Sequence, residues 1–178
     1  MKSLLIALTV LIAAVVGLTT FGRVRNDLAR QRDTIGSEWA QVNESLEQRA
    51  ALSRRMAERF QAISEPPAGI LQEIAESRGL LLQGGRAEDK MRANDRLSAG
   101  LSRLLLEADR RPRANADSEF RQLQEELRAS EDRIAVARLR YNDALAHYNT
   151  RIQSFPHNVV ARLSGFTRND AYFKTIPF

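Results

Sequence analysis

FRQLQEELRASEDRIAVARLRYNDALAHYNTRIQSF, residues 120–155, carries Phe120, Leu127, Ile134, Tyr141, Tyr148 and Phe155 at a constant interval of seven. Seven residues advance an α-helix by about 700°, some 20° short of two full turns, so all six side chains are predicted to share one face. Leu123, Ala137, Leu145 and Ile152 fill a second row of that face. A 3.5-residue apolar period of this kind marks a helix packed on other helices, and it sets the fold class as all-α. The last three rungs are aromatic in a chain with only 11 aromatics, and Asn142 and Asn149 each follow a Tyr. Packing alone would be served more simply by Phe or Leu, because a buried Tyr hydroxyl needs a partner.

Outward from this stretch the helical pattern continues. On its N-terminal side, Arg110-Arg111-Pro112 ends a preceding helix and PRANADS is predicted to form the turn, with Asp117 or Ser118 as N-cap and Glu119 near the positive helix end. On its C-terminal side Pro156 stops the helix, since its ring cannot follow the preceding helical turn. Asn158 is placed to cap a short last helix, VVARLSGF, which Gly165 ends. The residues after Phe166 show no period and are predicted to be a mobile tail, 167–178.

The earlier half reads the same way. Ile35, Trp39, Val42 and Leu46, then Met56, Phe60 and Ile63, follow a 4-3 spacing, with Arg49 and Ser53 interrupting the seam. Ser64-Glu65-Pro66-Pro67 is predicted to be a corner in which Ser64 can cap the next helix. That second helix carries Ile70, Leu71, Ile74, Met91, Leu97, Leu101, Leu104 and Leu105, with a kink or short break at Gly79 and Gly84-Gly85. The glycines lack the GK[ST] sequence and the preceding strand of a phosphate-binding loop.

Ser3–Phe21, SLLIALTVLIAAVVGLTTF, holds no charge. Nineteen helical residues cover about 28 Å, close to the hydrocarbon thickness of a bilayer. The run is longer than the apolar region of a signal peptide and has no convincing small-x-small cleavage site, so a retained anchor is expected. Lys2 precedes it, and Arg23, Arg25, Arg30 and Arg32 follow. Positive charge stays inside, which predicts an outside N-terminus and a cytoplasmic body in a bacterial inner membrane, with a periplasmic body as the alternative. The same four arginines are candidate contacts to anionic lipid. The expected organisation is an anchor at 1–22, an elongated antiparallel bundle of three long helices and a short C-terminal one at 23–166, and the tail. With the first helix leaving the membrane, the second returning and the third running outward, Tyr141 to Phe166 is expected at the membrane-distal tip, near Met56, Phe60, Ile63 and Ile70.

Composition narrows the chemistry. The net charge is +5, with 24 arginines among the 27 basic residues. Residues 22–63, 64–113, 114–155 and 156–178 carry +2, +1, −1 and +2, so both signs are mixed throughout and no basic stripe with stacking aromatics suggests nucleic acid. There are no cysteines, and the two histidines, His147 and His157, lack the further ligands of a metal site. His147 with Asp143 reads as a surface pair. No nucleophile elbow or facing pair of acids is present, so neither catalysis nor a cofactor is expected.

The ordered set Phe120, Leu123-Gln124, Leu127, Ser130-Glu131, Ile134, Ala137-Arg138, Tyr141-Asn142, Tyr148-Asn149, Phe155-Pro156, Asn158 and Gly165-Phe166 resembles the signature of the LemA family of bacterial membrane-anchored helical proteins. The front half departs from that pattern: Glu38-Trp39 stands for Ala-Trp, RRMAERFQ for a Pro-Asn-Leu segment, and Arg111 for an aromatic. The resemblance implies a helical bundle with a membrane-associated scaffolding or adaptor role. Its expected partners are the lipid bilayer, further copies of the chain and an unidentified membrane protein. It marks Tyr141, Asn142, Tyr148, Asn149, Phe155, Pro156, Asn158, Gly165 and Phe166 as candidate interaction residues.

Overall fold

The computed structural model describes residues 2–65, 67–83 and 85–172, and within them every regular element is helical. In chain order these are α1 (Lys2–Ile63), α2 (Ala68–Leu82), α3 (Ala87–Asp109), α4 (Pro112–Ala116), α5 (Ser118–Gln153) and α6 (His157–Ser164). Pro66 and Gly84, parts of the predicted corner and break, lie outside the described residues, as does the tail beyond Tyr172. The chain divides into two units, one holding residues up to Glu38 with Tyr141–Tyr172, the other Trp39–Arg140. Both long helices, α1 and α5, contribute to each.

The Trp39–Arg140 unit is built on the apolar seams. Val42, Leu46, Met56 and Phe60 of α1, Leu97, Leu101 and Leu104 of α3, and Phe120, Leu123, Leu127 and Ile134 of α5 are all buried. The Phe60 and Phe120 rings lie 5.6 Å apart at 35°, within the range where aromatic pairs attract. Arg59 donates to Asp117, Arg55 lies 3.6 Å from Glu126 and Arg49 2.5 Å from Glu131. As the α1 number falls the α5 number rises, so the two segments run antiparallel.

The predicted break in the second helix is a reversal, which corrects the expected count of three long helices. α2 ends at Leu82, α3 starts at Ala87, and the two helices pack on each other in opposite directions. Arg103 of α3 donates to Glu73 of α2 at 2.6 Å, and Gly100 packs on Ile74 so closely that a Cβ there would meet Ile74 Cγ1 at 3.1 Å. A glycine lets the two backbones approach at this point.

Local capping differs from expectation at three places. Asp117 does cap α5, accepting from the Phe120 N–H at 2.8 Å. Ser64 caps nothing, however: α2 starts after Pro67 without a side-chain cap, and Ser64 Oγ accepts from Arg111 Nη1 at 2.6 Å. The predicted PRANADS turn contains the short helix α4, opened by Pro112, whose missing N–H is no loss in a first turn. Asn158 lies inside α6 rather than at its cap, because Pro156 takes the N-cap position, and its Oδ1 accepts from Val159 N–H. Gly165 ends α6 as predicted, at φ 73°, with the Phe166 N–H reaching back to the Ala161 carbonyl.

In the other unit, α1 begins with a fully exposed apolar run. Residues 2–20 are all exposed, and this helix is long and apolar enough to cross a membrane. Burial starts where the run ends, at Val24 and Leu28. The other chain segment in that unit is Tyr141–Tyr172, and Asp27 meets His157 at 3.4 Å. Tyr141–Phe166 is thus grouped with the helix that emerges from the apolar run, whereas its expected neighbours Met56, Phe60, Ile63 and Ile70 belong to the other unit.

Candidate functional site: the Tyr-Asn segment and the buried arginine

The heptad line of α5 positions the Tyr-Asn pairs. Five of the six predicted rungs, Phe120 through Tyr148, are buried. The sixth is not: Phe155 is 83% exposed, because α5 ends at Gln153, two residues before it. Periodicity continues past a helix in the sequence but not in space.

Tyr148 and Asn149 hold the stretch after α6. The Tyr148 hydroxyl donates to the Thr167 carbonyl at 2.9 Å. Asn149 Nδ2 donates to the Asn169 carbonyl at 2.7 Å and to the Tyr172 hydroxyl at 2.8 Å, and its Oδ1 accepts from the Asn169 N–H at 3.0 Å. The amide side chain thereby satisfies both backbone groups of Asn169, as a neighbouring strand would. Residues 167–172, expected to be a mobile tail, are tied down by these bonds. A shallow hollow of about 280 Å³ remains between Arg32, Tyr148, Phe166 and Arg168. Arg32 lies 5.9 Å above the Phe166 ring, a cation–π distance.

Burial raises the pKa of Tyr148, partly offset by the positive charge of Arg32, and burial raises that of Tyr141 as well. Both therefore stay neutral hydrogen-bonding groups. Tyr141 is buried and Asn142 half-buried, each engaged in further polar or ring interactions. Asn158 and Pro156 occupy the first turn of α6 and its cap. Arg23, Arg25, Arg30 and Arg32 are all exposed, with Arg30 3.3 Å from Asp27. His147 and Asp143 are exposed as well, and among the described residues no three His, Asp or Glu side chains gather as a metal site.

The Trp39–Arg140 unit contains a second polar site that periodicity marks only as an interruption. Arg49 is buried, and it donates to Asn94 Oδ1 at 2.7 Å and Glu131 Oε1 at 2.5 Å. Burial lowers its pKa, while Glu131 and Asp95 act in the opposite direction. Lys90, one turn before Asn94 on α3 and also buried, donates to Asn43 Oδ1. Ser53 and Ser130 are buried too and return their hydroxyls to the Ala50 and Leu127 carbonyls of their own helices. A core arginine has a strong requirement for such partners, since an unpaired buried charge costs several kcal/mol on the order-of-magnitude scale. The available signal was a charged residue at a seam position, which in a heptad pattern points to a partner on the facing helix.

The family model described as "LemA family" matches residues 38–177. Among curated relatives, magnetosome proteins MamQ 1 and MamQ 2 of Paramagnetospirillum magneticum are each 29% identical over 115 residues, covering 63% of this chain and 42% of theirs. Magnetosome protein MamQ of Magnetospirillum gryphiswaldense is 27% identical over 115 residues, with the same coverage. The chain therefore matches these relatives over less than half their length.

Proposed function

The chain belongs to the LemA family, and we propose that it serves there as a non-enzymatic, membrane-anchored scaffold or adaptor that self-assembles through its helical body. The observation that carries this reading is an open face in the Trp39–Arg140 unit. A groove of about 350 Å³ is lined by Gln41, Ser45, Asp132, Arg133, Val136 and Arg140. Val136 in that lining is 47% exposed, and Leu139, three residues further along α5, is 46% exposed. Aliphatic side chains flanked by both signs of charge can pair with a copy of themselves about a twofold axis, the commonest symmetry of homo-oligomers.

The test is the mass of the detergent-purified chain together with electron microscopy of its particles. The expected result is an oligomer that the double substitution Val136→Asp, Leu139→Asp converts to monomer at an unchanged Tm. Uniform monomers of the unsubstituted protein overturn the reading. Orientation follows the arginines after the apolar run, with the body cytoplasmic at a bacterial inner membrane and a periplasmic body as the alternative.

The exposure of Arg23, Arg25, Arg30 and Arg32 favours a second reading, in which this segment binds and reshapes anionic bilayers. Each basic residue contributes about 1 kcal/mol near an anionic surface. Salt-sensitive deformation of anionic vesicles supports this reading, and vesicles left unchanged at low salt oppose it.

A further inference from the structure

We propose that the corner at Phe155 and the outer face of α6 form a second contact with the bilayer, separate from the anchor. Phe155, Val159 and Leu163 are 83%, 49% and 72% exposed. They follow one another at intervals of four, so Val159 and Leu163 share one face of α6, and Phe155 leads into it. The opposite face, Val160 and Ala161, is buried. Three large apolar side chains in water are thus lined up on a helix whose other side is already used.

What covers them follows from where the helix starts. His157, the first residue of α6, lies 3.4 Å from Asp27. Asp27 stands six residues beyond Phe21, a rise of about 9 Å along α1. The headgroup layer on each side of the hydrocarbon core is about 5–8 Å deep, so the Phe155 corner lies at the level where that layer meets water. The apolar run of residues 3–20, exposed throughout, precedes that level along α1. Phe166, at the far end of α6, sits by Arg32, five residues further along α1 than Asp27, so α6 climbs away from the membrane. Phe155 is therefore the deepest of the three and Leu163 the shallowest.

The surrounding charge fits a lipid surface. Arg151 and Arg162 lie next to the apolar line in sequence, both exposed, and Arg23 and Arg25, between the apolar run and Asp27 on α1, are exposed too. Phe and Leu on one side with arginine at the rim is the composition of helices that lie in an interface. The occupant is the bilayer that the anchor crosses, so the proposal rests on the anchor reading.

The chain has no cysteine, so single labels can be placed without removing native thiols. The full chain carrying Phe155→Cys, Val159→Cys or Leu163→Cys, each bearing an environment-sensitive fluorophore, is reconstituted into vesicles of phosphatidylcholine and phosphatidylglycerol with nitroxide-labelled lipids. Val10→Cys reports the anchor, and Leu106→Cys, at an exposed position of α3, reports a water-facing control. The expected result is lipid quenching at 155 at least about threefold that at 106, declining through 159 to 163, as depth in an interface dictates. Quenching at 10 with the α6 labels no different from 106 overturns the proposal and leaves the anchor intact. No quenching at 10 overturns both. Labels shielded from nitroxide lipid and from aqueous iodide alike, and uncovered as the protein is diluted in lipid, assign the face to a second copy and overturn lipid contact.

Discussion

α5 buries one continuous line of side chains, yet its two units put polar atoms to opposite uses. In Trp39–Arg140 the buried polar groups include charges, Arg49 first among them, held between Asn94 and Glu131 on two other helices. In the unit containing Tyr141–Tyr172 the buried polar groups are neutral, and Tyr148 and Asn149 bond to a segment without helix of its own. A core charge specifies which helices meet and penalises any loss of a partner. Neutral donors and acceptors tie down a segment locally, and their loss is expected to stay local.

The largest effect should come from the shared seam itself. Phe120→Ala removes a fully buried ring packed at a tilt against Phe60 and is expected to cost about 3–5 kcal/mol in a denaturant melt of the solubilised chain. Phe155→Ala, at the same heptad position five repeats later, should change stability by less than about 0.5 kcal/mol, as exposed sites do. Equal losses at both would restore Phe155 to the seam and break the distinction drawn from its exposure.

Next in size is the charged side of the comparison. Asn94→Leu leaves Arg49 one partner short and should cost about 1–3 kcal/mol, the penalty of an unsatisfied buried polar group. Adding Arg49→Met should recover much of that loss, because an apolar replacement of a whole buried polar set is often neutral. If the double variant melts no higher than Asn94→Leu alone, Arg49 and Asn94 do not act as a unit.

These contrasts also mark how far the fold could be read from the chain. Five rungs of the α5 seam, the Asp117 cap, the Gly165 stop and the apolar run at 3–21 all depend on neighbours close in sequence, and each was legible. The α2–α3 reversal was not, because a glycine-flanked break looks the same whether the helix kinks or folds back. Nor was the grouping of Tyr141–Tyr172 with the chain up to Glu38, which joins stretches more than a hundred residues apart. Asn149 was legible as unusual but not as a partner of Asn169, twenty residues on, since no period links a helix to an irregular segment. Arg49 was visible as a fault in the seam, whereas Asn94, which explains it, belongs to a different helix.

On the neutral side, Asn149→Ala removes the amide that serves both backbone groups of Asn169 and should cost about 1–2 kcal/mol. The sharper readout is hydrogen exchange, where faster exchange should be confined to residues 167–172 and include the Asn169 amide. Tyr148→Phe, which removes only the bond to the Thr167 carbonyl, should cost less, about 0.5–1.5 kcal/mol. Faster exchange spreading along α5 in either variant would show that these groups support the helix and not only the segment they hold.

The smallest effect separates the units by pH. Asp117 has its pKa lowered by the hydrogen bond from Arg59 first and the Phe120 N–H second, while no equivalent carboxylate bonds to Tyr148 or Asn149 among the described residues. A carboxyl whose folded pKa lies below its unfolded value of about 3.9 adds stability that is present above that value. The contribution fades as pH falls through the folded pKa. Asp117→Asn keeps an oxygen for the cap but cannot titrate, so its melting temperature should lie below that of the unsubstituted chain near neutral pH. The two curves should converge below about pH 4, where the native carboxyl is being neutralised. Hydrogen exchange at the same pH values should place the change at the start of α5 and leave 167–172 untouched. Parallel melting curves down to about pH 2 would mean that the Arg59–Asp117 contact contributes nothing through charge and only the cap matters.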